Sequence, residues 1–260
     1  MCATCGCGEA DVRIEGAHAH AHPGEHHHHP GRRVIDLGQE GLAKNDALAV
    51  ENRRWLAARR VLAFNFLSSP GAGKTTLLER TIRDLSPAPV SVLEGDQETS
   101  LDAERIRAAG AQAIQINTGR GCHLDAAMVA VGLEALLPPE RSLLFIENVG
   151  NLVCPSIIDL GEQAKVVLLS VTEGEDKPLK YPHAFRNAAA LVITKVDLLP
   201  HVSFDLDRCL ALSRRVNPNL WIFCVSALRG DGLGRFYDWL CAGFDLSART
   251  GTAAAAWAQS

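Results

Sequence analysis

The apolar run Val61-Leu62-Ala63-Phe64-Asn65-Phe66-Leu67 empties into Ser68-Ser69-Pro70-Gly71-Ala72-Gly73-Lys74-Thr75-Thr76 and then into the helix-forming Leu77-Leu78-Glu79-Arg80. Strand, glycine-bearing loop and helix in that order are the context the GxxxxGK(S/T) phosphate-loop pattern requires. Glycines let backbone N–H groups turn inward around phosphates, and the helix start presents its positive end. Lys74 supplies a point charge, and the Thr75 hydroxyl can ligate Mg²⁺. Gly71, Ala72, Gly73, Lys74, Thr75 and Thr76 are therefore the candidate cradle. Ser68 stands where the pattern has glycine, a variant that leaves the rest of the motif intact.

Outward from this loop, short apolar runs alternate with helical stretches. Strands are expected at 61–67, 90–93, 113–116, 143–146, 165–171, 191–194 and 221–225. Strands apolar on both faces and separated by helices predict an α/β fold with a mostly parallel sheet covered on both sides. Upstream, residues 42–60 hold good helix formers without proline, with Asn45 or Asp46 as a cap and Leu48, Trp55 and Leu56 on one face.

Four segments follow from composition. Residues 1–33 are rich in glycine, cysteine and histidine and nearly free of large apolar side chains, so they cannot bury a core and are expected to be disordered without metal. Residues 34–60 form a leading helical segment, 61–247 the nucleotide domain, and 248–260 a frayed small-residue tail. At 260 residues the chain has room for one sizeable domain with an appendage. A net charge of −4 without a Lys/Arg block argues against nucleic acid. No apolar run reaches the roughly 18–20 residues a membrane span needs. The opening Met1-Cys2-Ala3-Thr4-Cys5 lacks the pattern of a secretory signal, so a cytoplasmic location is expected.

Two carboxylates fall at expected strand ends, where the crevice of an open parallel sheet lies. Asp96 follows the second strand and Glu147 the fourth; either can hold Mg²⁺ directly or through water, and one can orient the attacking water. With Lys74 they form the candidate catalytic set, and Asp102 rivals Asp96 for its role. Thr194-Lys195-Val196-Asp197 is close to the NKxD element that recognises guanine, with threonine replacing asparagine. An aspartate there accepts from N1–H and from the exocyclic amine, a donor pair adenine does not offer. The last strand ends at Ser226-Ala227, the position of a backbone contact to the guanine oxygen. Two such motifs in order assign the nucleotide to GTP over ATP.

The eight cysteines are read as thiols or metal ligands before disulfides. Cys2, Cys5 and Cys7 beside the terminal amine suit Zn²⁺ in a tetrahedral or Ni²⁺ in a square-planar site. His18, His20, His22, His26, His27, His28 and His29 suit weak metal storage, and their spread argues against an expression tag. Cys122, His123 and Cys154 offer three further ligands. On spacing alone, a buried cysteine and a loop histidine account for them better. Cys209, Cys224 and Cys241 sit in apolar contexts and read as core residues.

Taken together, CATCGC at 2–7, the histidine tract, SSPGAGKTT at 68–76, EGDQETSLDAERI at 94–106, QINTGRGCHLDA at 115–126, IENVGNLVCPS at 146–156, TKVDLL at 194–199 and the VSA element resemble the HypB family of hydrogenase nickel-insertion GTPases. The resemblance implies a SIMIBI-class P-loop GTPase, Mg-dependent and with slow intrinsic turnover, that loads nickel into nickel–iron hydrogenase. Its implied partners are a HypA-type nickel carrier, a SlyD-type metal chaperone and the hydrogenase large subunit precursor. It maps tight nickel binding onto Cys2, Cys5 and Cys7. It also maps a nickel or zinc site at a nucleotide-dependent homodimer interface onto Cys122, His123 and Cys154, which reverses the reading from spacing. Two alternatives stay open: a metal-storage protein with a regulatory nucleotide site, and a urease-type nickel GTPase. The latter carry Cys-Pro-His where this chain reads Cys154-Pro155-Ser156, and they lack the CATCGC terminus.

Overall fold

The computed structural model describes residues 31–96, 101–119 and 121–242, with 31–40 described as backbone only. Cys2, Cys5, Cys7, the histidines from His18 to His29 and the tail 248–260 lie outside the described residues. Helix α1 (Gly31–Ala58) leads into β1 (Leu62–Ser68), α2 (Lys74–Leu85), β2 (Val90–Asp96), α3 (Leu101–Ala108), β3 (Gln112–Asn117), α4 (Ala126–Leu136) and β4 (Leu143–Glu147). A short α5 (Cys154–Ile157) precedes β5 (Ala164–Ser170), α6 (Lys177–Lys180), α7 (Pro182–Asn187) and β6 (Ala190–Thr194). A 3-10 turn at Val196–His201, α8 (Leu206–Val216), β7 (Trp221–Cys224) and α9 (Leu233–Cys241) complete the described chain.

The strands form one sheet in the order β3-β2-β4-β1-β5-β6-β7. Every pairing among the described residues is parallel, so the expected mostly parallel sheet is wholly parallel here. Successive side chains of a strand point to opposite faces, and the core divides accordingly. Phe64 and Phe66 of β1, Phe145 of β4 and Val92 of β2 face α2, α3 and α9 through Leu77, Ile106 and Phe236. On the other face, Ala63, Leu93, Leu144 and Ile146 meet α1 and α4 through Leu56, Val129 and Leu133. Further along that face Leu67, Val167, Leu169 and Ile193 meet α7 and α8 through Phe185 and Cys209. Strands buried on both sides explain their nearly continuous apolar reading.

The limits of one strand and one helix differ from the sequence expectation in a way that matters. Strand β2 does not stop at Leu93 but runs to Asp96, because Glu94 pairs in register with Glu147 of β4, and Asp96 with Asn117 of β3. The leading helix likewise starts at Gly31 and ends at Ala58, where the expectation was 42–60.

Asparagines dock α1. The Asn45 side chain donates to the Asp159 carbonyl at 2.8 Å and accepts from the Ala126 amide at 2.9 Å. Asn52, buried, donates to the Ala126 and Leu160 carbonyls at 2.8 and 3.0 Å. The bond to the Ala126 amide satisfies a donor at the start of α4 that has no intrahelical partner, and the bonds to Asp159 and Leu160 tie α1 to the turn ahead of β5. Among the described residues, no helix is long and apolar enough to cross a membrane.

Candidate functional site

The carboxyl ends of β1, β2 and β4 open into a cavity of about 550 Å³ lined by the loop 70–76 and by Gly95, Asp96, Asp102, Arg105, Glu147, Asn148 and Lys195, among others. The loop's shape depends on glycine: Gly71 and Gly73 hold φ of 76° and 93°, a region L side chains rarely adopt. Gly73 is the N-cap of α2 and offers no side chain to the helix, so the first amides remain available to phosphate oxygens. Ser68, the variant position, is fully buried and accepts the Lys74 ammonium at 3.0 Å. The hydroxyl thus parks Lys74 across the loop mouth.

Thr75 donates to Glu147 Oε1 at 2.8 Å, while Glu147 Oε2 is buried without a protein partner. Burial raises the Glu147 carboxyl from 4.5 to about 6, against the opposing pull of Lys74 and the Thr75 hydrogen bond. Asp96 and its rival Asp102 both line the cavity, so the two readings converge on one place. Asp102 is paired at 3.0 Å with Arg105, which also grips Glu79 on α2.

Sequence reasoning passed over Glu94. Ending β2 at Leu93 left it in a loop, whereas β2 continues and buries it beside Glu147. Burial first, and then the charges of Glu147, Asp102 and Asp96, raise its carboxyl from 4.5 to about 8. Its Oε2 is also without a protein partner. A glutamate following directly on the run 90–93, with nothing local to end the strand before it, was the signal available.

The base-recognition candidates stand beside the phosphate loop. Thr194 donates to the Ala72 carbonyl at 2.7 Å, and Lys195, at φ 60°, donates to the Gly71 carbonyl at 2.8 Å. Asp197 is the second residue of the 3-10 turn, half-buried. The Ser226-Ala227 turn is closed by Gly230 N donating to the Ser226 carbonyl at 2.8 Å and by Arg80 donating to the Ala227 carbonyl at 2.9 Å. Lys177 reaches from the far side to Ser69 and Glu173.

Cys122, His123 and Cys154 come together although 31 residues separate His123 from Cys154: their ligand atoms all lie within 4.8 Å of one another. The Cys122 thiol and His123 Nδ1 are 3.5 Å apart. Cys122 precedes α4 and Cys154 starts α5; Asn151 ties the two segments by donating to the Cys122 carbonyl at 3.4 Å. Burial holds the His123 imidazole below its ordinary 6.5, favouring the neutral form that ligates metal. Sulfur and nitrogen donors at this separation suit nickel or zinc. Cys209 is fully buried and Cys224 and Cys241 are half-buried in the core clusters, away from this group.

The nucleotide-binding domain shared by CobW, HypB and UreG proteins matches residues 63–223. A hydrogenase maturation factor HypB of Rhizobium leguminosarum bv. viciae is 58% identical over 209 residues, spanning 80% of this chain and 70% of its own. That of Escherichia coli K12 is 45% identical over 284 aligned positions, covering 92% of this chain and 98% of its own. The crystal structure of HypB from Helicobacter pylori in complex with nickel superposes with a TM-score of 0.72 at 40% identity, over 76% of this chain and 94% of that one. With the phosphate loop, guanine-type motifs and cysteine–histidine trio on one scaffold, the chain belongs to the HypB family of hydrogenase maturation factors.

Proposed function

We propose that the protein is a GTP-hydrolysing nickel metallochaperone that delivers or inserts nickel during nickel–iron hydrogenase maturation. One observation carries the reading: the Cys122, His123 and Cys154 ligand atoms lie within 4.8 Å of one another, and the segment bearing Cys154 continues directly from residues 147–150 in the wall of the phosphate cavity. Glu147 and Cys154 are seven residues apart in the chain.

The roles follow from chemistry. The amides of residues 71–76 and the Lys74 ammonium hold the β- and γ-phosphates. Asp197 accepts from guanine, and Ser226-Ala227 contacts its oxygen. Thr75 and Asp96 suit Mg²⁺, with Glu147 behind Thr75: hard oxygen donors and a buried carboxylate oxygen awaiting a partner fit that cation. Magnesium, when bound, neutralises charge building on the transferred phosphate. One of Asp96 and Glu147 orients the attacking water, and turnover is slow without further activation.

Nickel is the cargo, taken up at Cys122, His123 and Cys154, which also suit zinc. Cys2, Cys5 and Cys7 hold nickel tightly, and His18, His20, His22, His26, His27, His28 and His29 store it weakly. GTP draws two protomers together and changes the affinity of the trio; hydrolysis restores it and passes metal to the next carrier. The coupling is reciprocal, so nickel changes GTP affinity by the same factor. A HypA-type carrier, a SlyD-type chaperone and the hydrogenase large subunit precursor are the partners, in the cytoplasm. Phosphate release by wild type and Lys74→Ala, with nickel titrated under GDP and under a non-hydrolysable GTP analogue, tests the reading. Equal turnover in the two proteins leaves a storage role; equal nickel affinities under the two nucleotides remove the coupling.

A further inference from the structure

Glu147 and Asn148 are adjacent in the chain and serve opposite faces of the sheet. Glu147 meets Thr75 on the α2 side, whereas Asn148, 1% exposed, turns to the α4 side. There its side-chain carbonyl accepts from the Leu124 amide at 3.1 Å and from the Val149 amide at 3.0 Å. Leu124 directly follows Cys122 and His123.

The far end of Asn148 is anchored. Its amide donates to Asn65 Oδ1 at 3.2 Å, and Asn65 donates to Glu162 Oε1 at 3.2 Å. Glu162 accepts the Lys165 ammonium at 2.8 Å and the Leu160 amide at 2.7 Å. Asn65, Glu162 and Asn148 are all buried, so the chain of bonds is shielded from competing water. The Leu124 side chain is pinned from the other strand: a Cβ placed on Gly95 would meet its Cγ at 2.6 Å. Leu124 is thus held between Gly95 of β2 and Asn148 just past β4, whose chain neighbours Asp96 and Glu147 both line the nucleotide cavity.

We propose that Asn148 is the positioning residue that passes the state of the phosphate site to the metal trio, through the Leu124 amide. A shift of the Glu147–Asn148 peptide toward a bound γ-phosphate pulls on Leu124, and the adjacent His123 and Cys122 move relative to Cys154. The proposal rests on the nucleotide–metal coupling stated above and adds its route.

The test uses the full chain with Cys2, Cys5 and Cys7 changed to serine and His18, His20, His22, His26, His27, His28 and His29 changed to alanine, so that added Ni²⁺ reports the trio. Nickel affinity is measured at saturating GDP and at saturating non-hydrolysable GTP analogue, and the ratio is compared with that of the same protein carrying Asn148→Ala. The unsubstituted background is expected to show a ratio of about fivefold or more, and Asn148→Ala a ratio within about twofold of one. General loosening changes both affinities alike and leaves the ratio standing. A background ratio of one removes the coupling itself and this proposal with it; a background ratio that survives in Asn148→Ala overturns this proposal alone. Should Asn148→Ala lack a cooperative melt, hydrogen exchange of the wild-type Leu124 amide decides: a rate that differs between the two nucleotides supports the route, and an unchanged rate overturns it.

Discussion

Lys74 rests on Ser68, and Thr75 on Glu147, so the two side chains that phosphate and magnesium would recruit are already held at the loop. Lys74→Ala is expected to lower GTP turnover by about 10²–10³-fold, the usual cost of one preorganised charge-stabilising donor, with phosphate release as the measurement. Asp197→Asn loses a charged acceptor, worth about 1.5–3 kcal/mol, and is expected to weaken GTP binding by roughly 10- to 150-fold without weakening ATP; unchanged GTP affinity would remove Asp197 from base recognition. Thiols divide by environment. Burial pushes Cys209 and Cys241 up to about 11, so alkylation near neutral pH should reach Cys122 well before either. Peptide mapping after brief alkylation reads the order directly.

The ends of β2 and β4 act as a pair of elements, because in-register pairing sets Glu94 against Glu147. Both carboxyls are raised from 4.5, to about 8 and about 6, so between these values the folded protein binds more protons than the unfolded chain. Stability from this pair is therefore full below pH 4.5 and is lost as pH rises through about 6 for Glu147 and about 8 for Glu94. The Tm of the metal- and nucleotide-free protein should fall from about pH 5 to about pH 8.5, and Glu94→Gln should flatten the upper part of that fall. An equal fall in the variant would show that Glu94 is not its source. Docking of α1 offers a second test. Gly161 holds φ 90°, and a Cβ there would meet the Ala49 carbonyl at 2.6 Å and Asn52 Cβ at 2.7 Å. Gly161→Ala should cost about 1–3 kcal/mol, measured by denaturant unfolding, since α1 backbone has no flexible end to give way.

Over the whole molecule the sheet acts as a partition. The phosphate-loop cavity lies at its carboxyl edge toward α2 and the cysteine–histidine trio toward α4, with the segment after β4 reaching both. Metal content per protomer, measured on the full chain and on a chain lacking residues 1–33, with and without GTP, separates the trio from the terminal ligands. The full chain is expected to hold more nickel under every condition, and nucleotide is expected to change only the part that survives truncation. A nucleotide response confined to the full chain would place the coupling in the terminal segment instead.

The phosphate loop, the guanine-type motifs and the parallel α/β architecture were legible in the sequence, because each is a local signal. Glycine's conformational freedom, a lysine at fixed spacing and apolar runs of strand length depend on neighbours a few residues away. Tertiary structure decided what spacing did not. Only the family resemblance grouped Cys154 with Cys122 and His123 in the sequence; the physical reason they meet is that β4 lies between β1 and β2 and brings its carboxyl end beside the start of α4. Glu94 lies within β2 and Asn148 directly follows β4, polar positions that no periodicity marks. Burial and register, set by strands distant in sequence, turn one into a raised carboxyl and the other into the bond that holds Leu124.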